Sequence, residues 1–220
     1  MTTEPPKRRW FQFRLRTLLI AILVLSLPLS WFAVRMEKAR RQREKREAIE
    51  RLGGEIHFAG GRWDTTTVKF NTEFGHDEAS CVAGLPHLVL FLDHTNTTDA
   101  GLEHLKGLDN IVWVSLNHTH ISDAGLRHIG ELTNLESLCL DGTRVTDAGL
   151  KFLVGLSDLS FLTLDNTQVT DAGLEHLHSM SNLKNVSIVA TRVSPEGWNT
   201  LHERLPDCMI RYDRQTSQMP

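Results

Sequence analysis

The 220-residue chain contains one tyrosine and three cysteines. Cys81, Cys139 and Cys208 are too few for a disulfide framework, and no pair has the spacing of a zinc finger. An odd number leaves at least one thiol without an internal partner, which fits a reducing compartment. Nucleotide fingerprints are missing, because no glycine-rich run carries the lysine that a phosphate loop needs. No nucleophile–base pair, carboxylate dyad or metal-ligand set emerges either, so no catalytic residue, no metal and no cofactor is expected. Only one long apolar run exists, which excludes a polytopic membrane protein. With 40% hydrophobic and 23% charged residues, the chain is not wholly disordered.

What is present is uneven. Residues 1–52 hold 13 Lys and Arg against 5 Asp and Glu, a net of +8. Residues 53–220 hold 11 against 22, a net of −11. The overall −3 therefore hides a basic head on an acidic body. The head contains the apolar run, Thr17 to Val34, 18 residues without a charge. At ~1.5 Å per helical residue it spans ~27 Å, close to a hydrocarbon core of ~30 Å. Pro28 would kink it but is tolerated in a bilayer. Trp10, Phe11 and Phe13 before it, and Trp31 and Phe32 at its end, lie where aromatic belts form. A cleaved signal peptide is the rival reading. The run is long for that, and Arg35, Met36, Glu37 and Lys38 stand where small residues should mark a cleavage site. The expectation is an uncleaved single-pass helix over 17–34, after a basic tail of 1–16. Five positive charges precede it and eight follow, so by a small margin the body is expected on the cytoplasmic side of a bacterial membrane.

Residues 35–52 read as a charged helical stalk. Opposite charges recur at i,i+4 (Arg40–Glu44, Arg43–Glu47, Arg46–Glu50), and no apolar stripe calls for a coiled coil. The stalk is either solvated or adsorbed to anionic headgroups through residues 35–51. No motif there reads nucleic acid, and no nucleic-acid partner is expected. Gly53-Gly54 ends it.

The body is dominated by a 24-residue period. Four copies, over 98–193, open TDAGLEHLKGL, SDAGLRHIGEL, TDAGLKFLVGL and TDAGLEHLHSM. Seven positions per copy are apolar, and all 28 are Leu, Ile, Val or Met. In the second copy Leu126, Ile129 and Leu132 recur every three residues, as in a short helix with one buried face. Leu138 and Leu140 recur every two, as in a strand. Ser or Thr at each opening suits an N-cap, with Asp beside it at the positive helix end. Each copy is thus a strand, a turn and a short helix that cannot bury its own apolar face, whereas stacked copies can.

The pattern L-x-x-L-x-L-x-x-T-x-V/I resembles a leucine-rich repeat, with Thr119, Thr143, Thr167 and Thr191 where many such repeats have Asn. The [TS]-D-A-G-L opening is similar to bacterial relatives of the ribonuclease-inhibitor-like and cysteine-containing repeats. The whole arrangement resembles small membrane-anchored bacterial proteins of that type. The resemblance implies an α/β fold, a right-handed solenoid with a parallel sheet and outer helices. Around it, residues 53–74 are expected to form an N-terminal cap with strands near Ile56–Phe58 and Val68–Phe70. Repeats occupy 75–193, beginning with a shortened copy whose strand carries Leu88, Leu90 and Leu92. Residues 194–213 form a C-terminal cap, closed by Trp198, Leu201 and Leu205 with a last strand at Met209–Tyr212. Residues 214–220 are expected to be disordered.

In a strand x-L-x-L-x the x residues face the concave side. That row contains Phe91 and Asp93, then Trp113, Ser115 and Asn117, then Ser137, Cys139 and Asp141. Phe161, Thr163 and Asp165 follow, then Asn185, Ser187 and Val189. Trp113 and Phe161 are expected to be exposed anchors beside an acidic column of Asp93, Asn117, Asp141 and Asp165. Such a surface suits a basic or mixed protein partner; the alternative is a neutral sheet face covered by an odd aromatic. The histidines at 94, 104, 118, 120, 128 and 176 read as solvated surface groups. Cys81 is expected in the core of the shortened copy, and Asp-Ala-Gly is read as a capping and close-packing device. The expectation is a non-enzymatic, membrane-tethered interaction module that binds an unidentified protein on its concave face. The alternatives are a structural, envelope-organising protein that self-associates laterally, and, by analogy alone, a substrate-recognition subunit.

Overall fold

The computed structural model describes residues 8–59 and 65–213, with side chains from Ser30 onward apart from those of 58 and 59. The expected tail 214–220 and the first seven residues lie outside it. The chain forms two compact units that divide between Arg46 and Glu47.

The first unit is helical. Helix α1, Arg8–Arg51, is a single element of 44 residues that runs through Pro28 without interruption. It contains both the expected membrane segment and the stalk. The side chains of the apolar run up to Leu29, and those of Trp10, Phe11 and Phe13, lie outside the described residues. Among the described residues no helix is long and apolar enough to cross a membrane. Beyond Ser30, Trp31, Phe32, Val34 and Met36 are all exposed. Arg40 pairs with Glu44 at 2.9 Å as expected; Arg41–Glu37 at 3.0 Å and Arg51–Glu47 at 3.9 Å are the same kind of contact. All are solvated, so each contributes little to stability.

The end of α1 departs from a solvated stalk. Ile49 is completely buried in the second unit, and Leu52 packs beside the same core. Gly53 turns the chain with φ +75°, and at Gly54 a Cβ would meet Ile49 Cγ2 at 2.7 Å and Phe70 Cε1 at 2.8 Å. The helix terminus is therefore the first layer of the cap. One isoleucine within a run of charges hid this from the pattern.

The second unit is an eight-stranded sheet in sequential order, the signature of a coil that never crosses over itself. Strands β1 (Glu55–Ala59) and β2 (Thr65–Lys69) form the cap as an antiparallel pair. From β2 every pairing is parallel: β3 (Leu88–Phe91), β4 (Ile111–Ser115), β5 (Ser137–Cys139), β6 (Phe161–Thr163), β7 (Asn185–Ser187) and β8 (Met209–Arg211). Helix α2 (His76–Val82) precedes β3. Helices α3 (Asp99–Leu102), α4 (Asp123–Ile129), α5 (Asp147–Leu150) and α6 (Asp171–Leu177) open the four repeats. In the first and third repeats the α-turn tightens into a 3₁₀ turn, Glu103–Leu105 and Lys151–Leu153. Of the 28 repeating apolar positions only Leu108 is less than fully buried; the rest line one continuous core. This is a solenoid of stacked strand–turn–helix repeats with a parallel sheet, the architecture that the resemblance to leucine-rich repeats implied.

The Asp-Ala-Gly opening has a physical account. Asp99 Oδ1 accepts the backbone N–H of Ser122, one repeat on, at 2.8 Å, and its Oδ2 accepts the Ser122 hydroxyl at 2.5 Å. Asp123 does the same to Thr146, Asp147 to Thr170 and Asp171 to Ser194. The hydroxyl so held caps its own helix: Ser122 accepts from Ala124 N, Thr146 from Ala148 N, Thr170 from Ala172 N, and Ser194 from Gly197 N. Glycine follows because the Asp of the preceding repeat occupies the space of its Cβ, 2.5 Å away at Gly125. Three residue types in one motif thus serve one inter-repeat clamp.

Helix α7 (Pro195–Arg204), with Pro195 in its first turn, closes the coil. Leu201, Leu205 and Cys208 are buried, and Trp198 stacks between His202 at 5.4 Å and Tyr212 at 6.1 Å. Cys81, expected in the core, packs against it only partly buried.

Candidate interaction face

Strand alternation sends Val114, Leu138, Leu162 and Val186 inward, so their neighbours form rows across the open face. The register defines them. One row is Thr67, Val89, Trp113, Ser137, Phe161, Asn185 and Met209; the next is Lys69, Phe91, Ser115, Cys139, Thr163, Ser187 and Arg211. A register shift at Leu88/Val89 sets Phe91 one row away from Trp113, not beside it.

Trp113 and Phe161 do not stand free, as the sequence suggested. Both are half-buried, because the intervening Ser137 is small enough for the rings to approach over it, at 6.2 Å between centroids. Phe91 completes the line at 6.1 Å from Trp113. On the same face Ser115 is 2% exposed, Cys139 8% and Ser187 4%. The three were expected on the accessible surface and instead form its floor. Burial pushes the Cys139 thiol up, against the opposing pull of Thr163, Trp113 and Ser115. A protonated, covered thiol is a poor nucleophile. The Trp113 indole nitrogen is covered without a well-formed hydrogen bond, and the Cys139 sulfur is the group it acts on. Thr163 and Asn185 remain half-exposed beside the rings.

The acidic column is also reassigned. Asp93 Oδ1 accepts from Ser115 Oγ at 2.5 Å and from Asn117 N at 2.8 Å. Asn117 Oδ1 accepts from Asp141 N, Asp141 Oδ1 from Asp165 N, and Asp165 Oδ1 from Ser187 Oγ and Val189 N. Each side chain holds the same position of the next repeat, which satisfies a backbone donor that the short strand leaves over. A repeated Asx at one register position was the available signal. Thr95, Thr119, Thr143, Thr167 and Thr191 each donate to the carbonyl three residues back, at 2.6–2.8 Å.

One edge of the face opens into a groove of about 630 Å³, lined by Lys69, Asn71, Asp93, His94, Asn117, His118 and Asp141. The His94 and His118 rings stack 4.7 Å apart, 15° from parallel. The ring of His118 lies where a Cβ of Gly142 would be. Burial pushes the Asp141 carboxyl up, with the Asp165 carboxylate adding to the effect while Thr163, the Asp165 N–H and His118 oppose it. Among the described residues no cluster of three or more His, Cys, Asp or Glu could hold a metal ion. The other histidines singled out, 104, 120, 128 and 176, are exposed or half-exposed, and His104 meets His76 edge to face.

No known family's sequence profile matches the chain, and no curated protein is significantly similar to it. Among solved structures it is similar to internalin C2 of Listeria monocytogenes, at 23% identity and a TM-score of 0.47, over 66% of this chain and 69% of that one. It is also similar to internalin F of the same organism, at 18% identity and a TM-score of 0.42, over 63% of this chain and 47% of the other.

Proposed function

We propose that the chain is a non-enzymatic, membrane-tethered interaction module that docks a protein on the concave face of its solenoid. The supporting observation is the line Phe91–Trp113–Phe161. Asp93, Asn117, Asp141 and Asp165 are engaged in holding repeat to repeat, whereas three large aromatics on the same sheet face are only half-covered. Aromatic anchors of this kind supply much of the energy of protein interfaces. Ser137, Thr163 and Asn185 border them, and Asp93, Asn117, Asp141 and Asp165 form the polar rim. In this reading residues 17–34 are the membrane helix, the charged turns after it hold the solenoid off the surface, and the Lys and Arg count puts the repeats in the cytoplasm. Tethering raises the local concentration of a membrane partner, so modest affinity suffices.

The test is affinity capture from cross-linked native membranes, with the full-length protein compared against the Trp113→Ala, Phe161→Ala variant. A partner recovered by the wild type and lost with a variant that still unfolds cooperatively is the expected result. Equal recovery by both, or recovery of the chain itself alone, would sink the reading. Alkaline extraction tests the tether: the full chain should stay with the membrane pellet, and a chain lacking 17–34 should leave it.

A further inference from the structure

The groove beside the aromatic line has a chemistry of its own. One wall is flat, made by the two stacked imidazoles of His94 and His118. Its charged groups are Asp93 and Asp141 against Lys69, and Asp165 lies one strand beyond. The hydrogen bonds that hold Asp93 and Asp141 in the ladder use Oδ1 in both cases. All this sits on a body of net charge −11.

We infer that the groove receives an arginine side chain from a basic segment of the partner protein, stacked on the imidazoles and paired with Asp93 and Asp141. This rests on the docking face proposed above and adds the partner's chemistry to it. A guanidinium suits the site better than an ammonium, because it is planar, weakly hydrated and able to bond two acceptors at once. An anionic ligand would face Asp93 and Asp141 directly.

Fluorescent hexa-arginine, hexalysine and hexaglutamate peptides are the probes, titrated into the full-length protein in detergent with anisotropy as readout. Asp93→Asn with Asp141→Asn removes the charge and keeps the ladder, since Asn117 already makes the same bond to the next backbone N–H. Glu103→Gln with Asp109→Asn is the control, two exposed acids on the helical side. The expected result is hexa-arginine bound at least 5-fold tighter than hexalysine and no binding of hexaglutamate. The groove variant should lose at least 10-fold and the control less than 2-fold. Equal loss in groove variant and control would mean general attraction to an acidic protein and would overturn the inference, as would equal affinity for the two basic peptides. The two proposals separate in the capture experiment. If the aromatic variant loses the partner and the groove variant keeps it, the docking face stands and the arginine site falls.

Discussion

The Asp-to-next-repeat clamp makes a quantitative demand. Asp147 Oδ1 accepts from Thr170 N at 2.7 Å and Oδ2 from the Thr170 hydroxyl at 2.7 Å. Hydrogen bonds to a charged group contribute roughly 1.5–3 kcal/mol each when well shielded. Asp147 and Thr170 are half-buried, so the lower end applies, and Asp147→Ala is expected to cost about 2–3 kcal/mol. The Thr170 cap to Ala172 N weakens with it, as the hydroxyl loses its acceptor. Asp147→Asn keeps an acceptor for the N–H, gives the hydroxyl a donor to accept from, and should cost under ~1 kcal/mol. Asp147 also explains Gly173, whose Cβ would collide with its carboxylate. Gly173→Ala is therefore destabilising in the wild type and much less so beside Asp147→Ala, a coupling that a double-mutant cycle reads directly. The assay is urea unfolding followed by circular dichroism, with a constant m-value as the condition for comparison. At ~2–4 °C per kcal/mol for a chain of this size, Asp147→Ala lowers the melting temperature by about 4–12 °C. The reasoning fails if Asn is as damaging as Ala, or if Gly173→Ala costs the same in both backgrounds.

Asp158→Asn should stabilise by about 0.5–1 kcal/mol. Asn110, Asn134 and Asn182 donate to carbonyls 25 residues back at 2.6–2.7 Å, and the third repeat alone has an aspartate there, which cannot donate; an unchanged urea midpoint counts against this. Gly142→Ala should cost about 2–3 kcal/mol, roughly 1 of it from the left-handed backbone at φ +67° and the rest from the His118 ring, and His118→Ala should remove only the second part. Asp141→Asn should raise stability at pH 7, and the gain should fade in acid. The sign follows from linkage: a carboxyl whose folded pKa lies above its unfolded value binds a proton more readily when folded. Ionisation therefore costs the folded state above that range and nothing below both values. Unfolding midpoints at pH 7 and pH 3 check it, and a gain that grows in acid contradicts the assignment. Burial pushes the Cys139 thiol up, so a maleimide reagent should modify it at a rate that follows unfolding and not thiol exposure.

The solenoid was legible because its signal repeats. The change from a three-residue to a two-residue apolar period located every helix and strand of the four repeats, and Ser194-Pro195 marked the closing helix. The cap was legible only in outline. Ile49 belongs to a stretch whose charges advertise solvent, and nothing local says that the chain turns at Gly53 to bury it. Accessibility on the concave face was misjudged for a related reason. Alternation tells which face a side chain takes but not what covers it. Cys139 follows the alternation and is still buried, because Trp113 and Phe161 lean over a serine between them. Hydrogen-bond partners 22 to 25 residues away are invisible in a window, yet they become readable once copies are aligned and a polar type recurs at one position.

Repetition bears on function as well. A repeated polar residue is weak evidence for a ligand, since a stacked coil needs the same bond at every rung: Asp99, Asp123, Asp147 and Asp171 are spent on the next cap, and the column from Asp93 to Asp165 on the next strand end. The residues that break the repeat are the informative ones. Trp113 and Phe161 stand where the neighbouring copies have Ser137 and Asn185, and His94 and His118 where they have Gly142, Asn166 and Ala190. None of these substitutions is needed to build the coil, because the adjacent rungs do without them. Trp113, His94 and His118 lie on or just after β3 and β4, and Phe161 on β6 meets Trp113 across Ser137, which is where the docking face and the groove lie. If that logic holds, exchanging Trp113 for the Ser of its neighbour should abolish capture while the repeats continue to unfold cooperatively. A variant that changes a clamp aspartate at a helix start, such as Asp171→Asn, should leave capture intact.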